Sequence, residues 1–189
     1  MNKHIIYLAA GNSRRFGANK LLYNYRGKPL YRYGMELLSD YCQKHKDCSF
    51  LVVSQYQEIL LQAEREGISG VYSPYSHKGM SFTIEAALHA LGNVPEEDFI
   101  VFVVADQPYL TEDTLDKLIS VAAPEMETVS VKYGETPGNP TMFSARLIPE
   151  LLALKEDEGG RKVIHRHSCV FVEAGDKKEL YDIDTPECI

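Results

Sequence analysis

Three cations, Arg14, Arg15 and Lys20, follow an apolar run, His4-Ile5-Ile6-Tyr7-Leu8-Ala9-Ala10, and are set between and just beyond Gly11 and Gly17. A glycine turn after a strand lets backbone amides face an anion. Arginine forks onto phosphate oxygens, and lysine adds a compact positive charge. The pattern points to a polyphosphate, with Arg15 facing it and Arg14 facing solvent. A carboxylate, Asp106, directly follows the most apolar run of the chain, Phe99 to Ala105, and a second, Asp184, lies near the carboxyl terminus.

The charge distribution agrees with an anion site. The chain carries 20 basic and 27 acidic residues, yet its first 35 positions hold +7 and the remainder −14. Positive charge gathered beside one loop of an acidic protein attracts anionic ligands to that loop. Spacing excludes two other phosphate binders. The loop lacks the Gly-Lys-Ser/Thr ending of a P-loop and contains no G-x-G-x-x-G.

Composition sets the wider bounds. At 189 residues the chain suits a single domain, 1–189, able to bury roughly 70% of its unfolded surface. A net charge of −7 argues against a nucleic-acid partner, which needs a broad basic face. Neither long apolar run approaches the roughly 20 residues of a membrane span. The opening residues lack a signal-peptide pattern, so a cytoplasmic location is expected. Cys42, Cys48, Cys169 and Cys188 form no C-x-x-C pair and read as reduced thiols.

To position these groups, short apolar runs alternate with amphipathic stretches, the pattern of βα units around a mostly parallel sheet. Strands are expected at 4–10, 49–54, 71–73, 99–104, 128–133, 141–143 and 169–173. Helices are expected from Pro29, over 56–66 with Gly67 closing it, from a Ser81 cap to Gly92, from Thr111, over 148–154 and briefly within 162–167. The segment Thr136-Pro137-Gly138-Asn139-Pro140 reads as a turn, and Glu156-Asp157-Glu158-Gly159-Gly160 as a flexible acidic loop. In an open α/β sheet ligands bind beyond the carboxyl ends of the strands, so Gly11 and Asp106 should share a crevice. Structural readings compete: Asp106 as the cap of the turn at Pro108, Asp182 and Asp184 as turn formers before Pro186, Met80 as a core gap-filler. His165 and His167 lack a third ligand for zinc, and His77 reads as a surface residue.

Five segments in order carry a family resemblance. Leu8-Ala9-Ala10-Gly11-Asn12-Ser13-Arg14-Arg15-Phe16-Gly17 with Lys20-Leu21-Leu22 resembles the signature loop of MobA-like nucleotidyltransferases, particularly molybdenum cofactor cytidylyltransferases. Gly79-Met80-Ser81, Asp106-Gln107-Pro108-Tyr109-Leu110-Thr111, Gly138-Asn139-Pro140 and Asp182-Ile183-Asp184-Thr185-Pro186 resemble that family's later motifs. Its Gly-Asp-x-Gly-Ala-Arg loop stands here as Glu156-Asp157-Glu158-Gly159-Gly160-Arg161.

The resemblance implies a three-layer α/β/α Rossmann-like nucleotide-diphospho-sugar transferase fold with a mostly parallel mixed sheet. It implies transfer of CMP from CTP to the phosphate of molybdopterin, with release of pyrophosphate and with Mg²⁺ as cofactor. A molybdoenzyme receiving the product would be a further partner. Nucleotide contacts are expected from Leu8, Ala9, Ala10, Gly11, Ser13, Arg15, Lys20, Gly79, Met80, Ser81 and Asp106, with Arg15, Lys20 and Asp106 catalytic. Acceptor contacts are expected from Gln107, Gly138, Asn139, Pro140, Asp157 and Arg161, and metal ligation from Asp106 and Asp184. The alternatives are another acceptor, such as a sugar phosphate, and a non-catalytic protein that binds molybdenum cofactor.

Overall fold

The computed structural model describes residues 1–12 and 19–184. The chain order is β1 (Lys3–Leu8), β2 (Asn24–Tyr25), β3 (Lys28–Pro29), α1 (Tyr31–Lys44), β4 (Cys48–Ser54), α2 (Gln57–Arg65), β5 (Ser69–Tyr72), α3 (Met80–Leu91), β6 (Phe99–Val104), α4 (Glu112–Ser120), β7 (Thr128–Tyr133), β8 (Thr136–Ser144), α5 (Ile148–Leu152), α6 (Arg161–Ile164) and β9 (Cys169–Glu173). Seven strands form one sheet in the order β5-β4-β1-β6-β8-β7-β9. β8 runs against its neighbours β6 and β7, and the other pairings are parallel. The apolar run Phe99–Val104 is thus the central strand, as its lack of alternation requires for burial on both faces.

Side-chain parity makes the three layers. Ile5, Tyr7, Val52, Val101 and Val103 face a core shared with Met35 and Leu38 of α1, Ile59 of α2 and Leu115 and Leu118 of α4. Ile6, Leu8, Val53, Ile100 and Phe102 face the opposite core with Ile84 and Leu88 of α3, Leu151 of α5 and Val163 of α6. The sheet therefore presents the carboxyl ends of β1, β4 and β6 side by side, with helices on both faces.

Several local expectations need correction. Pro29 does not open a helix: Lys28–Pro29 pairs with Asn24–Tyr25 across a turn in which Arg26 and Gly27 both have positive φ, and α1 begins at Tyr31. Ser81 does not cap α3, because the helix starts at Met80. The Ser81 amide donates instead to the Glu156 carbonyl at 3.0 Å. The loop expected to be flexible is therefore fastened to the start of α3. The turn expected at 136–140 is strand, part of β8. The hairpin turns one step earlier, at Gly134 with φ +58, while the ladder shifts register between Ser130 and Val131 to admit Asn139 and Pro140.

Candidate active site

The loop after β1 is held by residues leaving the neighbouring strand β4. Ser54 donates to the Ala9 carbonyl at 2.7 Å, Gln55 Nε2 to the Ala10 carbonyl at 2.6 Å, and the Tyr56 hydroxyl to the Gly11 carbonyl at 2.7 Å. Asn12 Nδ2 reaches on to the His77 carbonyl at 3.1 Å, tying this loop to the approach to α3. Ala9 and Ala10 are buried, and Ala10 and Gly11 line the cleft. Ser13 and Arg15 lie outside the described residues.

Lys20 is 7% exposed at the start of a short 3₁₀ turn, Lys20–Leu22, which Asn19 caps by accepting from the Leu21 amide. Its ammonium stands 2.7 Å from Asp106 Oδ2 and 2.9 Å from Asp184 Oδ1. Burial lowers the proton affinity of this amine, but the carboxylate of Asp106, followed by that of Asp184, raises it above the ordinary lysine value. The lysine is therefore a fixed positive charge.

Asp184 arrives there by anchored steps. Glu179, 2% exposed, accepts from the Thr111 amide and hydroxyl at the start of α4 and from the Asp176 amide. Gln107 Nε2 then donates to Asp182 Oδ1 at 2.8 Å, and the Ile183 amide donates to the Asp106 carbonyl at 3.0 Å. Asp182 is open to solvent on one side. Its carboxyl is pushed up, first by the water it loses against the cleft wall and then by repulsion from Asp106.

Two clefts meet at this edge. The smaller, of roughly 250 Å³, is lined by Ala10, Gly11, Lys20, Gly79, Asp106 and Asp157 among others. The larger, of roughly 670 Å³, is lined by Gln107, Gly138, Asn139, Arg161, His165 and Asp182 among others. Leu8, Met80 and Val104 belong to both. The structure thus separates Asp157, on the smaller cleft, from Arg161, on the larger. Ser81 and Pro140 are placed beside the clefts rather than in their walls: Ser81 is buried beneath the first turn of α3, and Pro140 is buried in β8.

Gly79, in the wall of the smaller cleft, sets the shape next to the shared residue Met80. A Cβ there would stand 2.2 Å from the Glu156 carbonyl carbon and oxygen, and φ is +147. Backbone can approach backbone this closely only without a side chain. Residues that sequence reasoning missed are Asn12, Gln55 and Tyr56, together with Ser76 and Thr83, whose hydroxyls are joined at 2.7 Å beside the smaller cleft. Gln55 and Tyr56 follow the carboxyl end of β4, so the rule that located Asp106 also locates them.

No group of three or more histidine, cysteine, aspartate or glutamate side chains among the described residues is arranged to hold a metal. Two carboxylates nonetheless converge on one cation. Residues 5–170 match the MobA-like NTP transferase domain. The chain belongs to this family. Across 96% of its length it is 30% identical to the purine catabolism protein PucB of Bacillus subtilis, covering 91% of that protein. Its fold resembles that of Rv0371c from Mycobacterium tuberculosis, with a TM-score of 0.77 and 24% identity over 100% of this chain and 95% of the other. It also resembles molybdopterin-guanine dinucleotide biosynthesis protein A from Archaeoglobus fulgidus, with a TM-score of 0.70 and 18% identity over 98% and 94%. The fold is Rossmann-like, of the nucleotide-diphospho-sugar transferase kind, and the activity is nucleotidyl transfer.

Proposed function

We propose that this transferase moves CMP from CTP to the phosphate of a molybdopterin-type acceptor and releases pyrophosphate. The observation that carries the reading is the junction of the two clefts at Leu8, Met80 and Val104, with Lys20 and Asp106 beside it. The triphosphate takes the smaller cleft, over Gly11 and Lys20, and the acceptor takes the larger, past Gln107. An oxygen of the acceptor phosphate attacks the α-phosphorus, the α–β bridging P–O bond breaks, and its electrons leave with pyrophosphate. The attacking monoester is already ionised near neutral pH, so no protein nucleophile is required. Alignment and positive charge are what this chemistry asks of the protein.

The donor set suits a hard divalent cation. Asp106 Oδ2 and Asp184 Oδ1 already converge on the Lys20 ammonium, and Mg²⁺ needs only one or two carboxylates beside phosphate and water. Asp106 and Asp184 would hold it, and when bound it offsets negative charge on the phosphates. A crystal structure of Rv0371c, of the same fold, contains manganese. The choice of CTP rests on the resemblance to the cytidine-using branch. The likeness to PucB, named for purine catabolism, favours a molybdoenzyme of purine breakdown as recipient of the product.

The test is pyrophosphate release with Mg²⁺ and each nucleoside triphosphate in turn, with and without molybdopterin. Release with CTP only when molybdopterin is present supports the proposal. Release with a sugar phosphate instead would reassign the acceptor, and binding without release under any acceptor would favour an accessory protein.

A further inference from the structure

The sheet ends at β5, whose outer side no other strand covers among the described residues. In a parallel ladder, successive residues turn their backbone groups alternately to one neighbour and to the other. The Ser73 amide donates to the Ser54 carbonyl at 2.9 Å, and Ser54 lies opposite Tyr72. Ser69, Val71 and Ser73 therefore bond inward to β4, and the amides and carbonyls of Gly70 and Tyr72 point out of the sheet. None of these four groups has a hydrogen-bond partner among the described residues. Exposed edges are commonly blunted by charged side chains or a bulge. Here no charged residue occurs from Gly67 to Ser76, and the β4–β5 register runs without a shift.

On the α2 side the same edge carries a hole and a knob. A Cβ on Gly70 would stand 3.2 Å from Leu60 of α2, so position 70 faces that helix. Tyr72, two residues on, shares the face. Leu60, Leu61, Ile68 and Gly70 line a groove of roughly 430 Å³ beside the strand. Tyr72 is 58% exposed and stacks on no other ring among the described residues.

We propose that β5 pairs with β5 of a second copy of this chain, antiparallel about a two-fold axis through Val71, so that Tyr72 of each copy fills the groove over Gly70 of the other. Hydrogen-bond accounting fixes this register. Gly70 and the partner's Tyr72 exchange amide and carbonyl, and the symmetric pair does the same, which satisfies all four outward groups. An axis at Gly70 would set Tyr72 opposite Ile68, whose amide already donates to the Ala63 carbonyl at 2.9 Å. An axis at Tyr72 would set Gly70 opposite Pro74, which has no N–H. An axis between two residues would pair outward groups with inward ones. Charge agrees with the symmetry. Glu64, exposed in the groove wall, precedes the amino end of β5, and Lys78, exposed with its ammonium over the Tyr75 ring, follows the carboxyl end. An antiparallel pair brings each toward the other across the axis. The pairing is independent of which nucleotide and acceptor the clefts take.

Sedimentation velocity on the full chain over a range of concentrations should show a reversible monomer–dimer equilibrium. Tyr72→Lys should weaken dimerisation at least tenfold, and Tyr72→Phe should preserve it. The side chain is exposed, so both variants should fold, and thermal melting checks this. Val71→Cys gives a second, independent reading of the register. It sets each new thiol directly opposite its own copy, at the closer, non-hydrogen-bonded kind of pair. Mild oxidation should then yield covalent dimers well above the background that the native cysteines give in the wild type. A wild-type chain that stays monomeric at every concentration, a dimer that Tyr72→Lys leaves intact, or Val71→Cys cross-linking no more than the wild type would each overturn the proposal.

Discussion

The ammonium of Lys20 lies 2.7 Å from Asp106 Oδ2, across 86 positions of sequence, and the same nitrogen also holds Asp184 at 2.9 Å. One side chain therefore bridges both carboxylates proposed to hold a metal and offsets half of their charge. A divalent cation held by these two carboxylates would compete with the ammonium, and a bound triphosphate would give the ammonium a new partner. Each ligand would thus remove a cost that the other meets alone.

Metal and nucleotide are therefore expected to bind cooperatively through Lys20. In Mn²⁺ titrations followed by electron paramagnetic resonance, Lys20→Met should bind the ion more tightly than the wild type without nucleotide, by about tenfold, the scale of an ordinary coupling energy. Added CTP should then improve Mn²⁺ binding less in the variant than in the wild type. The same substitution should cost turnover about 2 to 4 kcal/mol in transition-state stabilisation. Identical metal affinities in the two proteins would show that the lysine does not compete for this place.

Asp106→Asn and Asp184→Asn should each keep the fold and lower turnover severely. Asparagine is nearly isosteric, and the bond that docks the closing segment uses the Asp106 backbone carbonyl, accepting from Ile183, which the substitution leaves in place. Because both carboxylates would act on one ion, the double variant should be little worse than either single one. Rates at limiting Mg²⁺, with circular dichroism as a control, decide this. Full activity in either single variant would make that residue a turn former.

Much of this architecture is legible in the sequence, for a physical reason. Phe99–Val104 has no polar alternation and so must be the strand covered on both faces, and it fixes where Asp106 emerges. The errors fall where tertiary partners outvote local signals. Pro137 and Pro140 mark a turn by composition, yet both lie in β8, because Gly134 makes the reversal and a register shift absorbs the extra residues. Ser81 has the chemistry of a helix cap, but the carbonyl of Glu156, 75 positions away, accepts its amide instead. The Lys20 bridge depends on strand order, which no local pattern encodes.

Gly79→Ala should damage the site without touching a charged residue. The new methyl would meet the Glu156 carbonyl at 2.2 Å, on a backbone with φ +147 that side chains rarely adopt. Strain of this kind costs on the order of 1 to 3 kcal/mol, and relief requires the loop bearing Asp157 to move off the start of α3. The expected result is a lower melting temperature together with weaker CTP binding, since Gly79 and Asp157 both line the smaller cleft. Wild-type stability and affinity would show that the loop does not need this contact.

At the opposite edge of the sheet, before β7 and β9, His167 Nε2 stands 2.7 Å from Glu150 and its Nδ1 3.3 Å from Glu127, while Arg166 lies 3.8 Å from Glu150. Burial opposes protonation of the imidazole, but Glu150 and Glu127 outweigh it and hold the pKa above the ordinary value. Glu127 is held down to about 2, first by the Ser168 hydroxyl and amide and then by His167. A raised histidine contributes stability fully below its unfolded pKa of about 6.5 and loses it as pH rises through the folded value. A depressed glutamate contributes above about 4.3 and loses it as pH falls toward its folded value. Both contributions are therefore present between about pH 4.3 and 6.5. His167→Gln should lower the melting temperature most in that window and progressively less as pH rises through the raised pKa of the wild-type histidine. Turnover at pH 7.5 should be unchanged, because Asp106 emerges at the other end of the strands. A melting difference that does not vary with pH would mean that His167 stabilises by packing and hydrogen bonding rather than by charge.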